Sequence, residues 1–466
     1  LARAVAAYGG SATVFTYLSP QQLARAGVER VSEETCLWRE LEPRVRLLCE
    51  VAESESMVDV IRATLEATDR WVERVKAFYR KPDCSSVLDS SVTDSSVPDS
   101  AWPSLVVADI GVSYDSVLAQ YFRAPSYSFS PSPLYYALCD EALFRSVLNP
   151  CQVELPGICT LQPDEGLVLD PALLPLLAKA MATEEVARAN RAGVIINDVQ
   201  AFYTSQTIDA LHRREFSRQS ALGPRPGFEV YTVGPLLKFD DRCSVFGAYS
   251  RNKTDGIRQW LEDKARGSVV YVSMGSAYDL ALQDLTELAH GLTLVADALN
   301  LFVLWAHRPV QLEPAANSGL DSSGLPAGWL EANTRRVKVC PWVDQLRVLQ
   351  HPALGCFVTH AGWNSLLESV CVGHAPLVCV PLSFEQPANA CVVEKYFEIG
   401  TRARKNPTTD PLERNRFAET IEDTLRNATH FRERLQKLQA QATTAWDNHL
   451  GSSAHTLRSL LDLIVS

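Results

Sequence analysis

The sequence has 466 residues, 46% of them hydrophobic and 21% charged, and a formal net charge of −11. A chain of that length exceeds one ordinary hydrophobic core and predicts two domains of roughly 200 residues each. The acidic balance argues against nucleic acid, which needs a clustered basic surface. No apolar run reaches the roughly 18 residues of a bilayer span and no signal-peptide pattern opens the chain, which together predict a cytoplasmic protein with a small or neutral partner.

The chain opens "LARAVAAYGG" with Leu1, and its first methionine is Met57, so the expectation is an incomplete open reading frame. The β-rich run "SATVFTY" (11–17) follows. Segment 83–100, "DCSSVLDSSVTDSSVPDS", repeats a DSSV unit and is too poor in apolar residues to pack, which predicts a surface loop. Short apolar runs then recur as "SLVVAD" (104–109), "GVIIND" (193–198), "SVVYVSMGS" (268–276), "LFVLWAHR" (301–308), "CFVTH" (356–360) and "PLVCVP" (376–381). Amphipathic stretches such as "LQDLTELAHGLTLVA" (282–296) and "QPANACVVEKYFEIG" (386–400) lie between the later ones. Apolar strands alternating with helices predict an α/β fold of parallel sheets covered on both faces.

Gly234-Pro235 and the turn-rich residues up to about Asp255 mark a boundary. The expected organisation is an N-terminal domain over 1–235, a linker over 236–255 and a second domain over 256–445. A C-terminal helix within 446–466 has an apolar stripe expected to pack back on the N-terminal domain. The 12 cysteines form no C-x-x-C pair, and Cys356, Cys371, Cys379 and Cys391 fall in apolar segments, which predicts buried reduced thiols.

No two glycines and no two aspartates stand two apart, so the G-x-G-x-x-G fingerprint and a D-x-D metal pair are both absent. The G-x-x-x-x-G-K-[ST] loop is absent too, and no metal site is expected. A nucleotide would have to be held by neutral donors, helix dipoles and a histidine. The stretch "FVTHAGWNSLLESVCVG" (357–373) supplies such parts. A strand ending at His360, followed by Ala361-Gly362 and a helix from Trp363, aims free backbone N–H groups and a positive dipole end at the crevice beyond the strand. Ser365 adds a hydroxyl donor, and Glu368 can accept from two ribose hydroxyls, such charge-assisted bonds contributing roughly 1.5–3 kcal/mol each. Ser365-x-x-Glu368 also matches a helix capping box and Trp363 also fits an ordinary core position, so the turn alone leaves both readings open. Trp342 upstream and Glu385-Gln386 downstream complete a set suited to a base, a diphosphate and a sugar.

From Trp342 to Gln386 the sequence resembles the signature box of the plant family 1 UDP-glycosyltransferases, in W-x-x-Q, H-P-x-x-G-x-F-x-T-H-x-G-W-N-S-x-x-E and P-x-x-x-[DE]-Q-x-x-N. The likeness extends through "VVADI" (106–110), "ELPGI" (154–158), "TVGPL" (232–236), "GSVVYVSMGS" (267–276), "FVLWAHR" (302–308) and "LPAGW" (325–329). The resemblance implies a GT-B fold, two facing Rossmann-like domains with the donor in the C-terminal one and the acceptor in the N-terminal one. It places Trp342 against uracil, Val343 and Gln345 at the base and ribose, and Glu368 at the ribose. It gives Ser276, His360, Asn364 and Ser365 the diphosphate, and Trp363, Glu385 and Gln386 the sugar. Asp109, which alone would read as a strand-end cap, matches the aspartate that orients the catalytic histidine of the family.

The implied activity is metal-independent, inverting transfer of glucose from UDP-glucose to a hydroxyl of a small lipophilic acceptor, by a monomer. Gln386 after Glu385 points to glucose rather than galactose. Tyr127, Phe129, Tyr135 and Tyr136 are candidates for the acceptor pocket, with plain core as the alternative. A catalytically silent UDP-sugar-binding protein and a UDP-sugar epimerase of similar architecture are the rival readings.

Three departures from the family pattern stand out. "GHAP" (373–376) is one residue longer than the usual loop, and "NDVQAFY" (197–203) replaces a segment that normally ends in Leu-Glu. The family opens with a strand ending in a Gly-His turn that carries the catalytic base, whereas the first of the nine histidines here is His212. The expectation is a chain lacking that strand and its base, and so weakly active or inactive as a transferase while still binding UDP.

Overall fold

The computed structural model describes residues 12–18, 36–42, 45–51, 105–109, 115–175, 178, 191–220, 228–237, 256–275, 280–307, 320–321, 323–447 and 451–465. The expectations for the Ser- and Asp-rich loop and for a strand missing ahead of residue 1 lie outside those residues.

Strands β1 (Ala12–Leu18), β2 (Cys36–Glu42) and β3 (Val45–Val51) form a sheet of order β1-β3-β2, with β1 parallel and β2 antiparallel to β3. A second sheet is wholly parallel, in the order β4-β5-β8-β9, and comprises β4 (Val106–Asp109), β5 (Ser126–Ser130), β8 (Gly193–Ile196) and β9 (Glu229–Thr232). Helices α1 (Asp115–Phe122), α2 (Leu134–Leu148) and α3 (Ser205–Ser220) connect these strands, and a hairpin of β6 (Val153–Leu155) and β7 (Cys159–Leu161) follows α2. Every residue of β8 is buried, as expected of a strand covered on both faces.

The third sheet holds six parallel strands, β10 (Val269–Ser273), β11 (Phe302–Ala306), β12 (Val337–Cys340), β13 (Leu354–Thr359), β14 (Leu377–Cys379) and β15 (Gly400–Arg402). Their intervening helices are α4 (Leu282–Leu299), α5 (Trp329–Asn333), α6 (Gln345–Gln350), α7 (Trp363–Val372) and α8 (Gln386–Val392), the last running into a π turn over Val393–Phe397. The spatial order is β12-β11-β10-β13-β14-β15, so the winding reverses between β10 and β13. In a doubly wound sheet that reversal opens a crevice beyond the carboxyl ends of the two strands, which here are Ser273 and Thr359.

Alternate residues of these strands feed opposite cores, as the two-residue period requires. Val270, Val272, Cys356 and Val358 pack with Leu285, Leu288 and Leu292 of α4 and with Phe417 and Ile421 of α9 (Arg414–Arg426). Each such leucine contributes about 1.5–3 kcal/mol when fully buried. Val269, Tyr271 and Phe357 face the other way, in a core continuous with Leu134, Leu155 and Ile196 from the side of the four-stranded sheet. Helices α10 (Ala428–Ala445) and α11 (Ser452–Val465) end the chain, and Leu457, Leu460 and Leu461 of α11 pack on Tyr127, Ile195, Tyr231 and Val233. No helix among the described residues is long and apolar enough to cross a membrane. The α/β class and the parallel sheets are as the sequence predicts.

Candidate functional site

The crevice between β10 and β13 is walled by the turn that leads into α7. Gly362 is the N-cap of α7 and no side chain caps the helix, so its first N–H groups and its dipole are directed to the crevice. Ser365 is therefore the third residue of the helix rather than its cap, and the capping-box reading does not hold. Ser365 and Glu368 instead share one partner. Gln345 Nε2 donates to Ser365 Oγ over 3.1 Å and to Glu368 Oε2 over 2.6 Å, while Gln345 Oε1 accepts from the Tyr271 hydroxyl over 2.9 Å.

His360 lies between two glycines. A Cβ built on Gly275, whose φ is +78°, would stand 2.7 Å from His360 Nε2, and one built on Gly362 would collide with the same nitrogen. Only residues without a Cβ allow the ring this position. Burial depresses the imidazole pKa to about 4, the Ser273 backbone opposing in part, so the ring is neutral at pH 7. A neutral imidazole can still donate one N–H, which is what a phosphate oxygen requires.

Ala361 takes the left-handed conformation with φ 64° although it is not glycine. Its carbonyl accepts from Asn389 Nδ2 over 2.8 Å, and Asn389 Oδ1 accepts from the hydroxyl of Tyr135 in α2. Trp363 is 4% exposed, and its Nε1 donates to the carbonyl of Asn197 over 2.9 Å. Its indole N–H is thus spent on the protein.

The sugar candidates follow a second left-handed residue, Phe384, with φ 52°. Burial raises the carboxyl pKa of Glu385, against hydrogen bonds from its own backbone and from Asn389. Gln386 Oε1 accepts from the Leu382 and Ser383 N–H groups, over 2.8 and 3.1 Å, which leaves Nε2 as the group able to face a sugar. At the other end of the crevice, Trp342 is 44% exposed just after β12, an aromatic surface open enough for a base to stack on. Val343 is buried in the core, so any contact with a base is left to its backbone. Asn364 is exposed at the second position of α7.

Residues 240–429 match the family described as UDP-glucoronosyl and UDP-glucosyl transferase. Crocetin glucosyltransferase 2 of Crocus sativus is 33% identical over 267 residues, 54% of this chain and 51% of the relative. Cinnamate beta-D-glucosyltransferase of Fragaria ananassa is 28% identical over 320 residues, 67% of this chain and 53% of the relative. Residues 240–429 thus carry the sequence pattern of that family. The chain spans about half the length of these two curated relatives. The fold is that of the family: the crystal structure of UDP-glucose: anthocyanidin 3-O-glucosyltransferase in complex with UDP superposes with a TM-score of 0.65 at 20% identity, over 92% of this chain and 88% of that one.

Measured against the family pattern, some expected residues fall beyond reach. Ser276 lies outside the described residues, and Asp109 is described only as the last backbone position of β4. Of the four acceptor-pocket aromatics, Tyr127 and Tyr135 are buried in the core, and Phe129 and Tyr136 are partly buried against it. Among the described residues no group of three or more His, Cys, Asp or Glu side chains could hold a metal ion.

Sequence reasoning also missed residues that build the site. Tyr271 and Gly275 stood unremarked in "SVVYVSMGS", and Asn389 closes the P-x-x-x-E-Q-x-x-N pattern without an assigned task. Asp198, in the divergent "NDVQAFY", is a fully buried carboxylate that accepts from the Leu134 and Val199 N–H groups, over 2.7 and 2.6 Å, and from the Tyr203 hydroxyl over 2.6 Å. Burial pushes its pKa up to about 7 in spite of those three donors.

Proposed function

We propose that this chain transfers glucose from UDP-glucose, with inversion, to a hydroxyl group of a small lipophilic acceptor. The observation that carries the reading is the His360 ring seated between Gly275 and Gly362 at the uncapped start of α7, one turn from the Gln345–Glu368 pair. Those are neutral and dipolar donors for a diphosphate beside a carboxylate for a ribose. The uracil stacks on Trp342, and Ser276, Asn364 and Ser365 join His360 at the phosphates. Donors fixed in advance around the departing UDP stabilise the charge that develops as the glycosidic bond breaks. Asp109, at the carboxyl end of β4, is assigned to orient the imidazole base that takes the acceptor proton, a histidine that the sequence before His212 does not supply.

Glucose is the preferred hexose. With its oxygen held by Leu382 and Ser383, Gln386 presents an N–H donor beside the Glu385 acceptor, a fixed polarity that can read hydroxyl orientation. Both curated relatives named above are glucosyltransferases by name. Titration calorimetry with UDP-glucose and UDP-galactose, followed by product analysis on a panel of phenols and terpenoids, tests the reading. A folded chain that binds neither donor refutes it, and tighter binding of the galactose donor refutes the choice of hexose.

A further inference from the structure

Between β7 and the 3-10 turn at Pro171–Leu173, residues 162–169 leave the hairpin and are fastened at two points to the six-stranded sheet's side of the molecule. The first is Glu165, 1% exposed, which pairs with Arg402 of β15 over 2.7 Å and with Lys395 of the π turn after α8 over 3.0 Å. Arg402 pairs in turn with Glu394 over 2.6 Å. The second point lies three residues on. The Val168 N–H donates to the Phe384 carbonyl over 2.9 Å and the Phe384 N–H donates to the Val168 carbonyl over 2.6 Å, an antiparallel bridge joined by Ser383 Oγ, which donates to the Val168 carbonyl over 3.3 Å.

Phe384 needs such a fastening. A bulky aromatic residue at φ 52° is outside its ordinary backbone range and stays there only when its surroundings over-determine it. Glu385 and Gln386 follow at once, so the direction in which their side chains leave the backbone depends on that residue. The groups assigned to UDP, namely Trp342, Gln345, His360 and Glu368, sit on other turns and helices.

We infer that residues 165–168 form a strap that positions the sugar end of the donor site, holding Phe384 in its left-handed conformation and so aiming Glu385 and Gln386 at the hexose. The strap touches no substrate and acts through those two residues. This rests on the donor-site reading above. Its signature is a change in the affinity for UDP-glucose relative to UDP, with UDP itself bound as before.

Val168→Pro removes the N–H that Phe384 accepts, Val168→Ala keeps it, and Glu165→Gln removes the charge at the other fastening while preserving shape. For each variant, UDP and UDP-glucose are titrated by calorimetry and amide hydrogen exchange is followed over residues 382–389. In Val168→Pro the affinity ratio of UDP-glucose to UDP is expected to fall by roughly tenfold, about the worth of one hydrogen bond, with faster exchange across 382–386. Glu165→Gln should move both readouts in the same direction, which keeps the test decisive if the proline variant fails to fold. Val168→Ala should hold the wild-type ratio. An unchanged ratio in Val168→Pro and Glu165→Gln, or an equal loss for both nucleotides, overturns the assignment. A wild-type chain that binds neither nucleotide refutes the donor-site reading itself, so the wild-type titration separates the two failures.

Discussion

Asn389 holds the carbonyl of Ala361 at 2.8 Å with its Nδ2, and with its Oδ1 it takes the hydroxyl of Tyr135, which lies 254 residues earlier in the chain. One amide therefore fixes the left-handed turn after His360 and ties it to α2. Asn389→Ala would leave a buried carbonyl and a buried hydroxyl without partners, at about 1–3 kcal/mol each. Urea denaturation should show a loss of about 2 kcal/mol or more. Asn389→Asp, which can still serve Tyr135, should lose less than the alanine variant.

Gly362→Ala should weaken nucleotide binding in a folded protein. Its φ of −64° suits any residue, so the backbone is not at issue, and the added Cβ collides only with His360 Nε2 among its close contacts. UDP affinity is expected to drop by at least about tenfold with little change in melting temperature. Because the damage runs through the ring, His360→Ala and Gly362→Ala should be far from additive. Additive losses in a calorimetric double-mutant cycle would show that the two act separately.

Gln345→Ala should weaken UDP nearly as much as Glu368→Ala, roughly tenfold, since Glu368 and Ser365 are oriented by the same amide. Trp342→Ala should act by a different route, through lost stacking. Calorimetry on all three variants checks this. A Gln345 variant with wild-type affinity would mean that Glu368 holds its place unaided.

Two buried groups give opposite pH dependences. His360, depressed from its usual value near 6.5 to about 4, contributes stability that is present above pH 6.5 and lost as pH falls through 4. Asp198, raised from 3.8 to about 7, stabilises the fold below pH 3.8 and loses that contribution as pH rises through 7. Asp198→Asn should therefore remove a downward slope in unfolding free energy between about pH 4 and 7. Denaturation across that range measures it, and an identical slope in wild type and variant would contradict the placement of the proton. Binding the diphosphate of UDP-glucose beside His360 should also draw a proton onto the ring, so affinity should rise as pH falls from 7 towards 5.

The interior strands of the six-stranded sheet were legible because each is a short apolar run bounded by turn residues, as in "CFVTH" and "PLVCVP". The edge strands Val337–Cys340 and Gly400–Arg402 were not, since a run of four or three residues with a lysine or arginine in it carries no clear period. The turn at His360 was readable for a similar reason: all its donors lie within one strand-to-helix connection. Gly275, Tyr271, Asn389 and Glu165 act through partners distant in sequence, and their roles exist only once the chain has brought those partners together. Trp363 shows the limit most plainly. Sequence left it between core and site, and the structure has it buried with its N–H on Asn197.

The packing of α11 on the four-stranded sheet bears on how the molecule is made. Tyr127, Ile195 and Tyr231 have all been synthesised once β9 is complete at Thr232, yet the leucines that cover them arrive only with the helix that starts at Ser452. At translation rates of about 5–20 residues per second that apolar face waits on the order of 10 to 45 s for its cover. During that interval the nascent chain lacks the leucines that cover this face, so a chaperone that holds it until α11 has emerged should raise the yield of folded protein.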